Sequence, residues 1–374
     1  MPKFIFDSEL IGKAFAIAKI VKPIITKFSM KVIGEKLVIF SYDRRRWTRS
    51  SVQAKETKDN SPDYDSGEFF ISSDRQTLIH TDLETVTLSI TDKAIALKTE
   101  GNGQSRNATL QRRSHDSKLA KIADLPAINM THVVNANHLA ELLHQVSCSA
   151  LVKETKTDEA RKYNQVHFFA ESSCAYSNAR GFMTLSTLSG LNLDLSIVSD
   201  DVPLMKAFCV RLGDSDVVIQ QNDSHLWISD VDQNNILYLS RIATKKPLLP
   251  VIDSSGFSME IQIDRQKFSK AMQWAGMTID GTQRATLRAK SSDSVMEVFH
   301  GKDEIAKFPI SFIKGTELNS DFSYKILSTV SNYLGGDNLT LKYGHSTSPH
   351  LLEVSETSDS PVKSRHFLQS MITR

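Results

Sequence analysis

The chain lacks most of the features that ordinarily announce a chemistry. Only three cysteines, Cys148, Cys174 and Cys209, occur in 374 residues. They are odd in number and not at metal-ligand spacing, which excludes a disulfide framework and a zinc cluster and points to a reducing cytoplasm. No apolar run approaches the roughly 18 residues of a membrane span, and the N-terminus has no secretory pattern. Neither sign of charge is in excess: 45 lysines and arginines meet 43 aspartates and glutamates for a net charge of +2, so composition alone names no partner. The 40% hydrophobic and 24% charged content is that of an ordinary globular protein.

Catalytic signatures are equally scarce. There is no nucleophile elbow, phosphate loop or metal cluster. Gly101-Asn102-Gly103 lacks the Gly-Lys-Ser/Thr that would cradle a phosphate. Asp230-Val231-Asp232-Gln233-Asn234 begins like a calcium loop but has Asn235 where glycine is needed and Arg241 where glutamate is needed, so it reads as a hairpin turn. His138 and His144 are six apart, off any shared helical face. The expectation is a protein that is not an enzyme and needs no cofactor.

What the chain does have is repetition. Phe6-Asp7-Ser8-Glu9-Leu10, Asn135-Ala136-Asn137-His138-Leu139 and Asp264-Arg265-Gln266-Lys267-Phe268 stand at successive offsets of 129, each between a short apolar strand and an amphipathic helix. A period of that length is a whole domain, not a solenoid unit. A second signal recurs further on: Ser73-Asp74, Ser199-Asp200 and Ser320-Asp321 each precede an apolar-periodic stretch, as a helix cap does. The stretches are 75–80, 202–212 and 322–334. Acidic or glycine-containing turns and short strands follow, such as Val86 to Ile90, Val217 to Ile219 and Leu339 to Leu341. Two helices and many short strands per unit give an α+β class with antiparallel sheets.

Boundaries follow from composition. Gly101 to Arg106 begins an irregular region running to Leu125-Pro126, and Lys245 to Pro250 is the second break. The domains are therefore placed at 1–127, 128–250 and 251–374. Polar insertions at 55–66 and 153–161 read as solvated loops.

Basic residues recur on these helices. Lys13 and Lys19, with Lys22 beyond, oppose Leu10, Ala14 and Ile17; Lys267 and Lys270 oppose Phe268, Ala271, Met272 and Ala275. The second helices carry Arg75, Lys206 with Arg211, and Lys325. A single such face is usually just solvated, but its recurrence in all three units suits a polyanion. Tyr42-Asp43-Arg44-Arg45-Arg46-Trp47 is a denser basic cluster at a strand end.

At these residues the chain resembles the three-domain bacterial-type sliding clamp, the β subunit of the replicative DNA polymerase. Val134 to Ser147 followed by Ala175 to Phe182 is similar to the family's helix and Ala-Thr-Asp-Gly-His-Arg-Leu segment. Leu239-Ser240-Arg241 to Pro247, Ser323 to Gly335 with Asp337 to Leu341, and Phe367-Leu368-Gln369-Ser370-Met371 resemble its later passages. Ala179 and Arg180 replace the Gly-His pair, and the tail lacks the family's proline. The resemblance implies three tandem clamp domains forming half of a six-domain ring, a head-to-tail homodimer around duplex DNA. It further implies placement by an ATP-driven loader and a tethered polymerase. The ring lining would use Lys13, Lys19, Lys22, Arg75, Lys206, Arg211, Lys267, Lys270 and Lys325. A pocket for partner peptides would use Tyr163, Ser177, Ala179, Phe182, Pro247 and Ile252, then Phe367, Leu368 and Met371. Such divergence suits a phage or mobile element. Two other readings stay open: a monomeric clamp-like adaptor that binds polymerase or host replication proteins, and a two-domain clamp, against which three units argue.

Overall fold

The computed structural model describes the chain except residues 23–26, 44, 60–61, 73–82, 112–129, 151–164, 180, 223–224, 241–246, 253–255, 279–283, 345–349 and 372–374. The described residues form five α-helices and twenty-five strands. The first repeat contains β1 (Lys3–Asp7), α1 (Ser8–Ala18), β2 (Lys27–Ile33), β3 (Lys36–Asp43), β4 (Arg46–Gln53), β5 (Glu56–Lys58), β6 (Phe69–Ser72), β7 (Thr85–Ile90), β8 (Ala94–Gly101) and β9 (Gln104–Gln111). The second contains β10 (Met130–Asn135), α2 (Ala136–Ala150), β11 (Gln165–Phe169), β12 (Cys174–Ala179), β13 (Phe182–Leu188), β14 (Ser196–Val198), α3 (Val202–Leu212), β15 (Asp216–Gln221), β16 (His225–Asp230) and β17 (Asn235–Ser240). The third contains β18 (Met259–Asp264), α4 (Arg265–Thr278), β19 (Arg284–Lys290), β20 (Val295–His300), β21 (Asp303–Lys314), β22 (Glu317–Ser323), α5 (Tyr324–Tyr333), β23 (Asn338–Gly344), β24 (Leu351–Glu356) and β25 (Val362–Gln369).

The repetition holds at atomic level. In each repeat the strand before the first helix runs antiparallel to the strand after the second-helix position, and the last pairs are Asp7 with Thr85, Asn135 with Asp216 and Asp264 with Asn338. One residue on, the helix's first N–H donates to the turn before that strand: Ser8 to the Glu84 carbonyl at 3.2 Å, Ala136 to Ser215 at 2.9 Å, and Arg265 to Asp337 at 2.9 Å. The structure thus aligns Asp7, not Phe6, with Asn135 and Asp264, a one-residue correction in the first repeat. The reason is capping: Asp7 Oδ1 accepts from the N–H groups of Glu9 and Leu10, and Asp264 Oδ1 accepts from that of Lys267.

Contacts divide the chain into two compact units. The first, 1–137 with 204–243, holds a five-stranded sheet, β5-β1-β7-β8-β9, and an eight-stranded sheet, β10-β15-β16-β17-β4-β3-β2-β6. Helix α1 buries Ile11, Phe15 and Ala18 here, three to four residues apart, against Phe28, Met30 and Ile39. Its C-terminus is tied down by the Thr48 hydroxyl, which donates to the Ala18 carbonyl at 3.0 Å. Leu10 lies off that stripe and is 45% exposed, contrary to the expectation that it was buried.

The second unit, 138–203 with 244–374, holds a twelve-stranded sheet, β14-β11-β12-β13-β25-β24-β23-β18-β21-β20-β19-β22. Its core combines α4 residues Phe268, Met272 and Ala275 with α5 residues Leu327 and Val330 and the strands beneath.

Three further expectations are corrected. Ser320-Asp321 is not a cap but part of β22, where Asp321 accepts from Thr286 and pairs with Arg284; the cap of α5 is Ser323, whose Oγ accepts from the N–H of Ile326. Gly101 to Arg106 is no linker: Asn102 and Gly103, both at positive φ, turn a two-residue hairpin between β8 and β9, as Asn-Gly does between strands. Within the expected 55–66 loop, Glu56–Lys58 pairs with β1 as an edge strand. The 75–80 and 153–161 expectations lie outside the described residues. The Asp230–Asn235 segment is a hairpin turn, with Asp230 accepting from the Asn235 backbone and side-chain amides.

Candidate nucleic-acid interface and peptide pocket

The cations named from sequence fall into distinct environments. Lys19 and Lys22 follow α1 and are exposed, as is Lys13. Lys13, however, is engaged: its Nζ lies 2.8 Å from Glu9 one turn earlier, and that carboxylate holds its ammonium above the ordinary value. Lys13 and Leu10 line an open cleft of about 490 Å³ together with Ser50 and Asn235. On α3, Arg211 is exposed in the last turn, where a cation complements the helix dipole, and Lys206 is half-buried. Lys325 is exposed on α5. Arg75 lies outside the described residues, and α2 carries no lysine or arginine at all.

Among the described helices α4 is the most basic. Its sequence RQKFSKAMQWAGMT contains three cations and no acid. Arg265 is used locally, with Nε donating to the Gly336 carbonyl at 2.7 Å, whereas Lys267 and Lys270 stand exposed. Beside them are two residues that the sequence reading passed over: Trp274, 62% exposed, and Met277, 82% exposed. Their signal was present in the spacing, since 267, 270, 274 and 277 fall on one helical face.

The residues named for a peptide pocket do not share one environment either. In the β12-β13-β25 part of the second unit, Ala179 stands opposite Phe182 and Phe182 opposite Leu368, so these three share one face of the sheet with Ser177. That face meets α2: the Ser177 hydroxyl donates to the Val146 carbonyl and contacts the Ser149 hydroxyl. All four residues are buried. Phe367 points the other way and is also buried, with the Arg365 guanidinium 5.0 Å above its ring. Pro247 is exposed, Ile252 and Met371 are half-buried, and the Met371 N–H donates to the Asp321 carbonyl at 2.8 Å. Tyr163 lies outside the described residues.

Burial pushes the Cys148 thiol up and the Cys209 thiol up to about 12, so both are inert small hydrophobes. Among the described residues no group of three or more His, Cys, Asp or Glu side chains could hold a metal ion. No described helix is long and apolar enough to cross a membrane.

Comparison with known proteins adds one decisive observation. No protein-family model and no curated protein sequence matches the chain. Solved structures do. The DNA polymerase III beta subunit from Thermotoga maritima superposes with a TM-score of 0.75 at 12% identity, covering 100% of both chains. The chain has the sliding-clamp fold. The DNA polymerase sliding clamp from Pseudomonas aeruginosa gives 0.75 at 13% identity, and DNA polymerase III subunit beta from Borrelia burgdorferi, solved with a natural product, gives 0.73 at 12%, each again over 100% of both chains. The three-domain α+β clamp architecture is therefore that of this chain, reached with few shared residues.

Proposed function

We propose that the chain is a DNA sliding clamp, a non-enzymatic processivity factor whose three domains, 1–127, 128–250 and 251–374, form half of a closed ring. The observation that carries this reading is a sheet join made twice and left open once. Each of three two-residue hairpins, Asp43 to Arg46, Ala179 to Phe182 and His300 to Asp303, starts a strand. In the first, Arg46 receives Leu239 from the last strand of the next repeat; in the second, Phe182 receives Leu368 likewise. Among the described residues the third such strand, Asp303–Pro309 of β21, pairs only with β20, and β9, the last described strand of the first repeat, pairs only with β8.

An unpaired strand edge is a template for another chain. Two copies joined β9 to β21, head to tail, would pair these two edges on each copy, so that every such join is made twice over and the heterologous contact closes. Leu110 is the counterpart of Leu239 and Leu368, facing Ile95 as they face Leu226 and Leu352. Leu110 should then stand opposite Asp303 of the second copy.

Inside such a ring DNA is held by topology, and the exposed lysines and arginines on α1, α3, α4 and α5 touch phosphates without reading bases. Lys267 and Lys270 contribute more than Lys13, whose charge Glu9 already offsets. Polymerase tethering falls to the accessible Pro247, Ile252 and Met371. A loader places the ring, and the cytoplasm is where it works.

Imaging of the pure protein at micromolar concentration, followed by retention on nicked circular DNA at high salt, tests this. Six-lobed rings, retained on circles and lost on linearisation, are expected. Three-lobed arcs with no retention, even with a loader, would replace the clamp by a monomeric adaptor.

A further inference from the structure

Helix α4 carries an exposed stripe whose chemistry changes along its length. At 3.6 residues per turn, Lys267, Lys270, Trp274 and Met277 lie within about 80° of arc, and the buried Phe268, Ala271, Met272 and Ala275 take the other side. Lys270 and Trp274 are about 6 Å apart along the axis, and Lys267 and Trp274 about 10 Å. The stripe therefore presents cations in its first half and flat or polarisable apolar groups in its second.

At 62% exposure the Trp274 indole forgoes most of the free energy that burial would give it, so folding alone does not account for its place on this face. The helix is also held firmly where the indole stands: a Cβ on Gly276 would come within 3.1 Å of the Tyr324 ring, so α4 packs close upon α5. The side chain is presented from a rigid element, and the helix has no acid to repel a nucleic acid.

Resting on the clamp reading for the presence of DNA, we infer that the α4 stripe binds unpaired nucleotides, with Lys267 and Lys270 on phosphates and Trp274 stacked on a base. A duplex does not offer the same contact. Its base faces are already stacked, and opening a step costs a few kcal/mol. A single strand presents open π-faces, and aromatic side chains bind them without regard to sequence. Met277 extends the platform with a polarisable thioether. A ring so equipped is not indifferent to position: it is drawn to the single-stranded side of a primer end, where a polymerase must begin.

The protein contains its own probe. Of its three tryptophans, Trp47 and Trp227 are 6% and 2% exposed, so iodide-accessible emission comes from Trp274. The full chain is titrated with a labelled oligothymidylate of about 20 nucleotides and with a duplex of the same length, reading label anisotropy and tryptophan emission together. Oligothymidylate is expected to quench the exposed emission, and duplex, held through its phosphates by the same lysines, to leave it unquenched. Trp274→Ala should weaken oligothymidylate binding about tenfold and leave duplex binding unchanged, and Trp274→Phe should retain most of it. Lys267→Gln with Lys270→Gln should weaken both and flatten the single-strand salt dependence by a slope of about 1.4.

Unchanged emission while anisotropy reports bound single strand overturns the inference, as does equal quenching by duplex. Iodide shielding that grows with protein concentration in the absence of DNA would also overturn it, assigning the stripe to a second copy. Retention on circular DNA with a silent Trp274 removes this inference alone, whereas failure of retention removes the clamp reading.

Discussion

Arg365 grips Glu353 across β24 and β25 with two parallel hydrogen bonds, Nε to Oε1 at 3.0 Å and Nη2 to Oε2 at 2.6 Å. Glu353 is only 3% exposed, so this carboxylate has left water and depends on its partner. Arg365 is partly exposed, which moderates the effect. Arg365→Ala is expected to cost about 2 kcal/mol, below the range of fully buried pairs, because it strands Glu353. Arg365→Ala combined with Glu353→Ala should recover part of that loss; chemical denaturation of the four proteins of the cycle would show it, and additive losses would contradict it.

Burial separates core from rim around the proposed pocket. Phe182→Ala removes a ring that is 2% exposed and should destabilise by about 3–5 kcal/mol. Ile252→Ser with Met371→Ser acts on half-buried side chains and should shift the melting temperature little while lowering polymerase stimulation. Equal loss of stability in both variants would return these rim residues to a purely structural role.

The buried imidazole of His366 makes stability fall in acid. Its Nδ1 is 3.0 Å from the Thr184 hydroxyl, and burial pushes its pKa down to about 3. The unfolded chain, with an ordinary value near 6.5, binds this proton first as pH drops, so stability is full above about pH 6.5 and declines toward pH 3 by up to about 1.4 kcal/mol per unit. Burial also lowers His132 and His225, which add smaller slopes of the same sign. Comparing urea midpoints at pH 7 and pH 5, His366→Gln should show a smaller drop than the parent protein.

The open edges can be trapped covalently. If Leu110 of one chain faces Asp303 of another, Thr109 faces Glu304, and both are exposed in the single chain. Thr109→Cys with Glu304→Cys should give, on mild oxidation, a covalent dimer on a denaturing gel, as directly opposed strand positions allow. The three native cysteines are all buried and should not contribute. Shifting one partner by a residue, Thr109→Cys with Ile305→Cys, should lower the yield, because side chains one apart point to opposite faces.

Much was legible in the residues themselves. The repeat showed because helix caps and apolar periodicity are local properties: Asp7 and Asp264 must accept N–H groups one turn ahead wherever a helix starts. The apolar period over 202–212 predicts a helix, and Val202–Leu212 forms one. The same locality misled at Ser320-Asp321, which resembles a cap until the Arg284 and Thr286 side chains, far away in sequence, claim Asp321 for a sheet. The Asn102-Gly103 pair marked a turn, but only strand pairing distinguishes a hairpin from a linker.

By itself the sequence determined the class of fold, the threefold plan and which helices carry cations. Only the tertiary structure decided which side chains see water and which strand edges stay open. That Phe182 and Leu368 share a face while Phe367 points away depends on register, and that β9 and Asp303–Pro309 have no second neighbour among the described residues depends on pairing between strands far apart in the chain. Hydrogen bonds within a helix are made four residues away and leave a mark in the local sequence; those between strands are made at any distance and do not.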